Sequence, residues 1–365
     1  MTVVGRRMMW QLIPLACLAV AFGAALAGRG TLQALGAALP LIEFVVLIGG
    51  VFASVHHADV IAHRVGEPYG TLVLTIAVTV IEVALILSIM LAGDGKATLM
   101  RDTVLAVLMI VCNGVVGLCL ITGGLRYGEQ GFQLPGISAY FVVLMPLATL
   151  ALILPNYTVT APGPFYSPTQ LIVVSIVTLV LYSVFLYVQT VRHRAYFLFD
   201  PGIAPPADIH GRPNARQVGE SIVLLLGALA AVVLLAKSFA HSVESAVVAV
   251  GAPNAAVGLL VAMLVLLPET LTALRAARRN DLQKSLNLAL GSSLATIGLT
   301  IPAVSMLAVL LNQPLQLGLD MSDTILLVLT FAVSLVTFGG GRTNILPGFV
   351  HLVMFVIFVF LMFSP

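Results

Sequence analysis

Apolar runs of roughly 18 to 25 residues recur from Trp10 to Phe363, separated by polar connections. A stretch such as LIVVSIVTLVLYSVFLYVQT, residues 171–190, is long enough to cross the hydrocarbon layer once as a helix. In lipid every backbone N–H and C=O needs a protein partner, so a spanning run is either a helix or a strand of a closed barrel. Barrel strands alternate apolar and polar residues over about ten positions, and these runs do not alternate. Composition agrees: 60% of the 365 residues are hydrophobic and 9% are charged, against about 25% charged in a soluble domain. The fold class is therefore all-α and integral to a membrane, with lipid as its main partner and no basic surface for nucleic acid.

Eleven spans can be drawn, near residues 10–27, 33–62, 69–92, 99–124, 137–154, 169–191, 218–250, 254–274, 282–311, 322–338 and 345–363. The second and seventh exceed bilayer length and are expected to tilt or to break near their polar ends. Residues 1–30 have the basic start and apolar middle of a signal peptide. The length of that run and the spans after it favour a first helix that is retained. Cys17, Cys112 and Cys119 fall inside apolar runs, and no disulfide framework or CxxC metal motif is present.

Lys and Arg concentrate on the cytoplasmic side of membrane proteins. With an inside N-terminus, thirteen of the seventeen basic residues fall in inner segments, and only Arg29, Lys96, Arg101 and Lys237 fall outside. Eleven spans then leave the C-terminus outside, in a cytoplasmic (inner) membrane. The longest polar connection, RHRAYFLFDPGIAPPADIHGRPNARQ, is basic and rich in Pro and Gly. It divides the chain into a first transmembrane helix (1–32), a front five-helix repeat (33–191), a cytoplasmic linker (192–217) and a back five-helix repeat (218–365).

One skeleton is written twice. His56, Asp59, Gly66 and Pro68 recur with the same spacing as His241, Glu244, Gly251 and Pro253, each time at the end of the first helix of a repeat. Five spans per repeat place the two copies in opposite orientations, the pattern of an alternating-access transporter. The His/acid pairs His56/Asp59 and His241/Glu244 would then stand at the two mouths of a pathway and relay protons.

Each copy leads into an apolar helix with one deep acid: Glu82 in YGTLVLTIAVTVIEVALILSIML and Glu269 in VGLLVAMLVLLPETLTALRA. An ionised carboxylate at mid-membrane costs several kcal/mol unless it is protonated, paired or facing a polar cavity, which makes both residues functional candidates. Two such acids acting together can take one divalent ion or two protons and end with the same local charge. The next helix in each repeat is rich in small and polar residues, with Asn113 in front and Ser292 and Ser293 behind. Their oxygens, with that of Thr79 three residues before Glu82, suit a hard cation. Glu43 and Glu220 are lesser candidates, and His57, His63 and His351 are expected at the membrane interface.

The text GEPYGTLVLTIAVTVIEVALI and GLLVAMLVLLPETLTALRAARRNDLQKSLNLALGSSLATIGLTIP resembles the calcium:cation antiporter superfamily, in its bacterial calcium/proton or sodium/proton, ChaA-like branch. The resemblance is clearest over residues 33–125 and 218–311. It implies that each repeat donates one glutamate to a central cation site, here Glu82 and Glu269, with oxygens from Asn113 and the Ser292/Ser293 pair. Many relatives have Gly-Asn shortly before each glutamate, whereas this chain has Val78-Thr79 and Val265-Leu266. The expected function is a cation/proton antiporter that exports calcium, with sodium or potassium as alternatives, and needs no bound cofactor. A passive cation channel is the competing reading. An intramembrane enzyme is less favoured, because HExxH, paired-Asp and GxSxG motifs are missing. The oligomeric state is left open.

Overall fold

The structure, a computed structural model, describes residues 3–26, 38–66, 69–91, 97–198, 213–249 and 251–364. Arg29, Lys96, Arg212, Pro68 of the doubled skeleton and the middle of the linker (199–212) lie outside the described residues. Eleven helices follow in order: α1 (Val3–Leu26), α2 (Ala38–Val65), α3 (Tyr69–Met90), α4 (Leu99–Tyr127), α5 (Leu134–Tyr157), α6 (Pro168–Arg192), α7 (Ala215–Ala249), α8 (Ala255–Ala277), α9 (Leu282–Leu310), α10 (Met321–Phe338) and α11 (Ile345–Phe363). Among the described residues ten helices are long and apolar enough to cross a membrane, and α1 carries a shorter apolar stretch, Met8–Ala24. The chain is a nearly all-helical, multi-pass membrane protein.

Local chemistry explains where these helices stop. Gly66 and Gly251, the glycines of the doubled skeleton, have φ of 76° and 68°. That left-handed conformation suits a residue without a Cβ and is the usual way to end a helix. Gly66 N–H closes on Ala62 O at 2.8 Å, while Ala252 N–H reaches back to Val247 O at 2.9 Å. The glycine of the skeleton is thus a helix stop in both copies. Neither long helix breaks: α2 runs for 28 residues and α7 for 35. At roughly 50 Å, α7 is longer than a hydrocarbon layer of about 30 Å, and its membrane-length apolar part is Ala215–Ala236.

The helices pack as two compact units. The smaller joins residues 1–96 with 205–252, hence α1, α2, α3 and α7. The larger joins 97–204 with 253–365, hence α4, α5, α6 and α8 to α11. Each expected repeat contributes helices to both units. In the smaller unit α2 lies against α7, and Gly50 lets the two approach: a Cβ there would meet Val232 Cγ2 at 2.9 Å. Ala58, Ile61, Ala77 and Leu225 fill the space between α2, α3 and α7.

The larger unit is built around α4, whose most apolar window is 89% buried. Two glycine contacts set its neighbours. A Cβ on Gly258 of α8 would stand 2.9 Å from Thr103 N, and one on Gly117 would stand 2.9 Å from Gly348 O of α11. Small residues that let backbones touch are the usual currency of helix association in lipid. A π-helical turn, Ile110–Val115, interrupts α4, and a second, Thr296–Thr300, interrupts α9. The two-residue strands β1 (Gln130–Gly131) and β2 (Arg342–Thr343) pair antiparallel.

Candidate functional site

Glu82 lies on α3 in the smaller unit, eight residues from the helix end at Met90, and is 5% exposed. Thr79 and Thr75, three and seven residues earlier, are half-buried on the same face. Glu269 lies on α8 in the larger unit, also eight residues from its helix end, at Ala277, and is half-buried. Pro268 stands immediately before it inside the helix. A proline has no N–H to offer, so the turn leading into Glu269 lacks one backbone bond and exposes a carbonyl. Pro268 O in turn accepts from Thr272 Oγ1 at 2.8 Å.

Within the larger unit, α8 and α9 both pack against the π-helical turn of α4 that carries Asn113. Such turns widen a helix and recur at functional positions. Asn113 is fully buried, and its amide is engaged at both ends. Oδ1 lies 3.0 Å from His351 Nδ1, and Nδ2 donates to Thr330 Oγ1 at 2.9 Å. Ser292 and Ser293 lie on α9 just before its own π-helical turn. Ser292 is half-buried; Ser293 is buried and donates to Leu290 O at 3.0 Å, which leaves its oxygen lone pairs available. The structure therefore gathers Glu269, Asn113, Ser292 and Ser293 onto mutually packed helices of one unit, while Glu82 and Thr79 belong to the other.

The doubled His/acid pairs differ in setting. His56 is half-buried, stacks on Trp10 with centroids 4.4 Å apart, and meets His57 edge-on. Asp59 faces outward and pairs with His63 at 3.6 Å. Both side chains of that pair are more than half exposed, so solvent screens it heavily. On α7, His241 is exposed and Glu244 half-buried.

Sequence reasoning ranked Glu43 as a lesser candidate and passed over the partners of several other buried polar groups. His57 and His351, expected at the interface, are buried. His57 bridges Ser221 Oγ at 3.3 Å and Trp10 O at 3.0 Å. Glu43 is buried between α2 and α7, and its carboxylate accepts from Ser238 and from Ser242, the latter at 2.6 Å. Arg101 is buried against Asp102 at 2.9 Å and donates to Gly318 O at 3.1 Å. The Ser238/Ser242 spacing of four on one helix was the available signal for the partners of Glu43, since it places two hydroxyls on one face. Among the described residues no three His, Cys, Asp or Glu side chains gather as a resident metal site.

Comparison with known proteins follows the same lines. The model of the sodium/calcium exchanger protein family matches residues 35–191 and 220–364. A protein of Sinorhizobium fredii named "Putative ionic transporter y4hA" is 49% identical over 90% of this chain and 89% of its own length. The Escherichia coli protein named sodium-potassium/proton antiporter ChaA is 37% identical over 90% of this chain and 89% of its own. Among solved structures, native YfkE, elsewhere named a Ca2+/H+ antiporter protein, aligns with a TM-score of 0.73 at 17% identity, covering 98% of this chain and 100% of YfkE.

Proposed function

The chain belongs to the sodium/calcium exchanger protein family, and from that premise we propose that it is a secondary active antiporter exchanging an inorganic cation for protons. The observation that carries this reading is the position of two acids. Glu82 and Glu269 each stand eight residues from the end of an apolar, membrane-length helix. Burial at that depth makes a bare carboxylate costly, so each acid gains most from a counter-charge that can come and go. A proton and a metal cation both meet that need, and competition between them for the same oxygens is exchange.

We place Glu82 and Glu269 as the groups that bind cation and proton in turn, with Thr79, Asn113, Ser292 and Ser293 supplying neutral oxygens. His56, Asp59, His241 and Glu244 form the proton pathway at the two mouths. The front and back repeats are read as inverted copies, with the N-terminus inside the cytoplasmic membrane and the C-terminus outside. Thirteen of seventeen basic residues support that orientation. The cation is proposed as calcium together with sodium and potassium, each competing with protons for these carboxylates. The relative with 37% identity carries sodium and potassium in its name. Val78-Thr79 and Val265-Leu266, where many relatives have Gly-Asn, leave fewer side-chain oxygens to favour a divalent ion.

Inside-out vesicles with a preformed pH gradient test the proposal. Calcium, sodium or potassium added outside should each release the gradient, and each should compete with the others. Losing one charged ligand should weaken apparent cation affinity about 10- to 100-fold, so Glu82→Gln and Glu269→Gln should each raise the half-saturating cation concentration by that factor. Normal pH-coupled exchange by either variant would refute the assignment. Cation flux without proton movement would identify a channel.

A further inference from the structure

Four polar side chains of the larger unit form a hydrogen-bonded series with one consistent direction. Thr337 Oγ1 on α10 lies 3.1 Å from His351 Nε2 on α11, and His351 Nδ1 lies 3.0 Å from Asn113 Oδ1 on α4. Asn113 Nδ2 then donates to Thr330 Oγ1 on α10 at 2.9 Å, and the Thr330 hydroxyl donates to Leu326 O at 2.8 Å. Asn113, Thr330 and His351 are fully buried.

Each donor in the series fixes the next. The one proton of Thr330 goes to Leu326 O, a stronger acceptor than the Met109 sulfur 3.5 Å away. Thr330 oxygen must therefore accept, and the Asn113 amide nitrogen supplies it. With Nδ2 committed there, Oδ1 faces His351, so Nδ1 of the imidazole carries the proton. Nε2 of the neutral ring is then an acceptor, and the Thr337 hydroxyl fills it. Turning the Asn113 amide over would set its NH2 against Nδ1–H and its oxygen against a hydroxyl whose proton is spent elsewhere. The imidazole can answer the first change by taking its other tautomer, but the bond to Thr330 would be lost.

We infer that His351 is a positioning residue for cation exchange: by donating Nδ1–H to Asn113 Oδ1 it holds in place the amide oxygen whose direction Thr330 sets on the π-helical turn of α4. One lone pair of the oxygen faces His351, and the second is left for the transported cation. This rests on the reading of Asn113 as an oxygen ligand. His351 itself touches no cation; it acts through Asn113.

Two substitutions separate positioning from packing. An asparagine side chain puts its amide nitrogen near the place of imidazole Nδ1, whereas a glutamine side chain reaches toward the place of Nε2. His351→Asn thus keeps the donor to Asn113, and His351→Gln keeps only the partner of Thr337. With the full chain in inside-out vesicles and calcium chloride as probe, His351→Asn should hold the apparent KM within about twofold of the unaltered protein, and His351→Gln should raise it about tenfold. Asn113→Ala should raise KM at least as much, and Asn113→Ala/His351→Gln should be no worse than Asn113→Ala alone. Equal KM values for the two His351 variants, or additive effects in the double variant, overturn the inference and leave the Asn113 reading standing. An unchanged KM in Asn113→Ala overturns the Asn113 reading, and the inference with it. If His351→Gln fails to accumulate in the membrane, Thr337→Val carries the test. Losing the donor to Nε2 frees the imidazole to take the other tautomer, so KM should rise severalfold, and an unchanged KM overturns the inference.

Discussion

Ser238 and Ser242 lie one turn apart on α7, and both hydroxyls donate to the Glu43 carboxylate of α2. A buried acid held this way is satisfied only while both donors stay, because an acceptor left without its donor costs about 1–3 kcal/mol. Ser238→Ala/Ser242→Ala should therefore lower the apparent melting temperature in detergent. Glu43→Leu should be milder, because the serines can turn their hydroxyls back to carbonyls of their own helix. If the double serine variant melts with the unaltered protein, the Glu43 contacts contribute nothing to stability. The same scale shows why His351 was missed. It stands only six residues into α11, where an interfacial histidine is commonplace, and its partner Asn113 is 238 residues away. Nothing in the local text LPGFVHLVMF announces that α4 and α10 bring an amide and two hydroxyls to that level.

Helix boundaries, by contrast, were legible, because each is fixed by residues adjacent in sequence. The spans drawn at 282–311, 322–338 and 345–363 correspond to Leu282–Leu310, Met321–Phe338 and Ile345–Phe363. The end of α2 is set by Gly66, one residue past the last helical position. Contacts between helices were not legible, since a glycine that lets backbones touch and one that faces open space look alike in a list of letters. Gly117 and Gly291 make the difference measurable. A Cβ on Gly117 would press on Gly348 O at 2.9 Å and Leu352 N at 3.1 Å, both backbone atoms that cannot step aside. On Gly291 it would meet nothing nearer than the Tyr140 hydroxyl at 3.8 Å. Gly117→Ala should cost roughly 1–3 kcal/mol through overpacking of α4 on α11, whereas Gly291→Ala should be neutral or gain up to about 1 kcal/mol from helix propensity. Thermal unfolding of the two purified variants in one detergent ranks them, and a Gly117→Ala protein as stable as Gly291→Ala would contradict the close approach.

For the molecule as a whole, the number of exchanging acids limits the charge that one cycle can carry. If Glu82 and Glu269 are the only exchanging groups, the pair offers two negative charges. One calcium ion or two protons each bring it to neutrality. Carboxylates loaded in either way return between the two faces without net charge, while two bare carboxylates would carry two charges through lipid at a cost of several kcal/mol. Calcium/proton exchange should therefore proceed at the same rate under an imposed membrane potential of either sign. A single sodium or potassium ion leaves one carboxylate to be neutralised, so it should travel with one proton retained, in exchange for the other. That exchange too moves no net charge. Glu43 gives the alternative a definite form: a further buried carboxylate that shed its proton during the cycle would add a charge, and the field would then speed or slow the flux. Reconstituted vesicles under positive, zero and negative potential, with a pH-sensitive dye inside, decide between these cases. Equal initial rates at all three potentials support two exchanging carboxylates. A rate that changes with potential in the unaltered protein, and loses that dependence in Glu43→Gln, would assign the extra charge to Glu43.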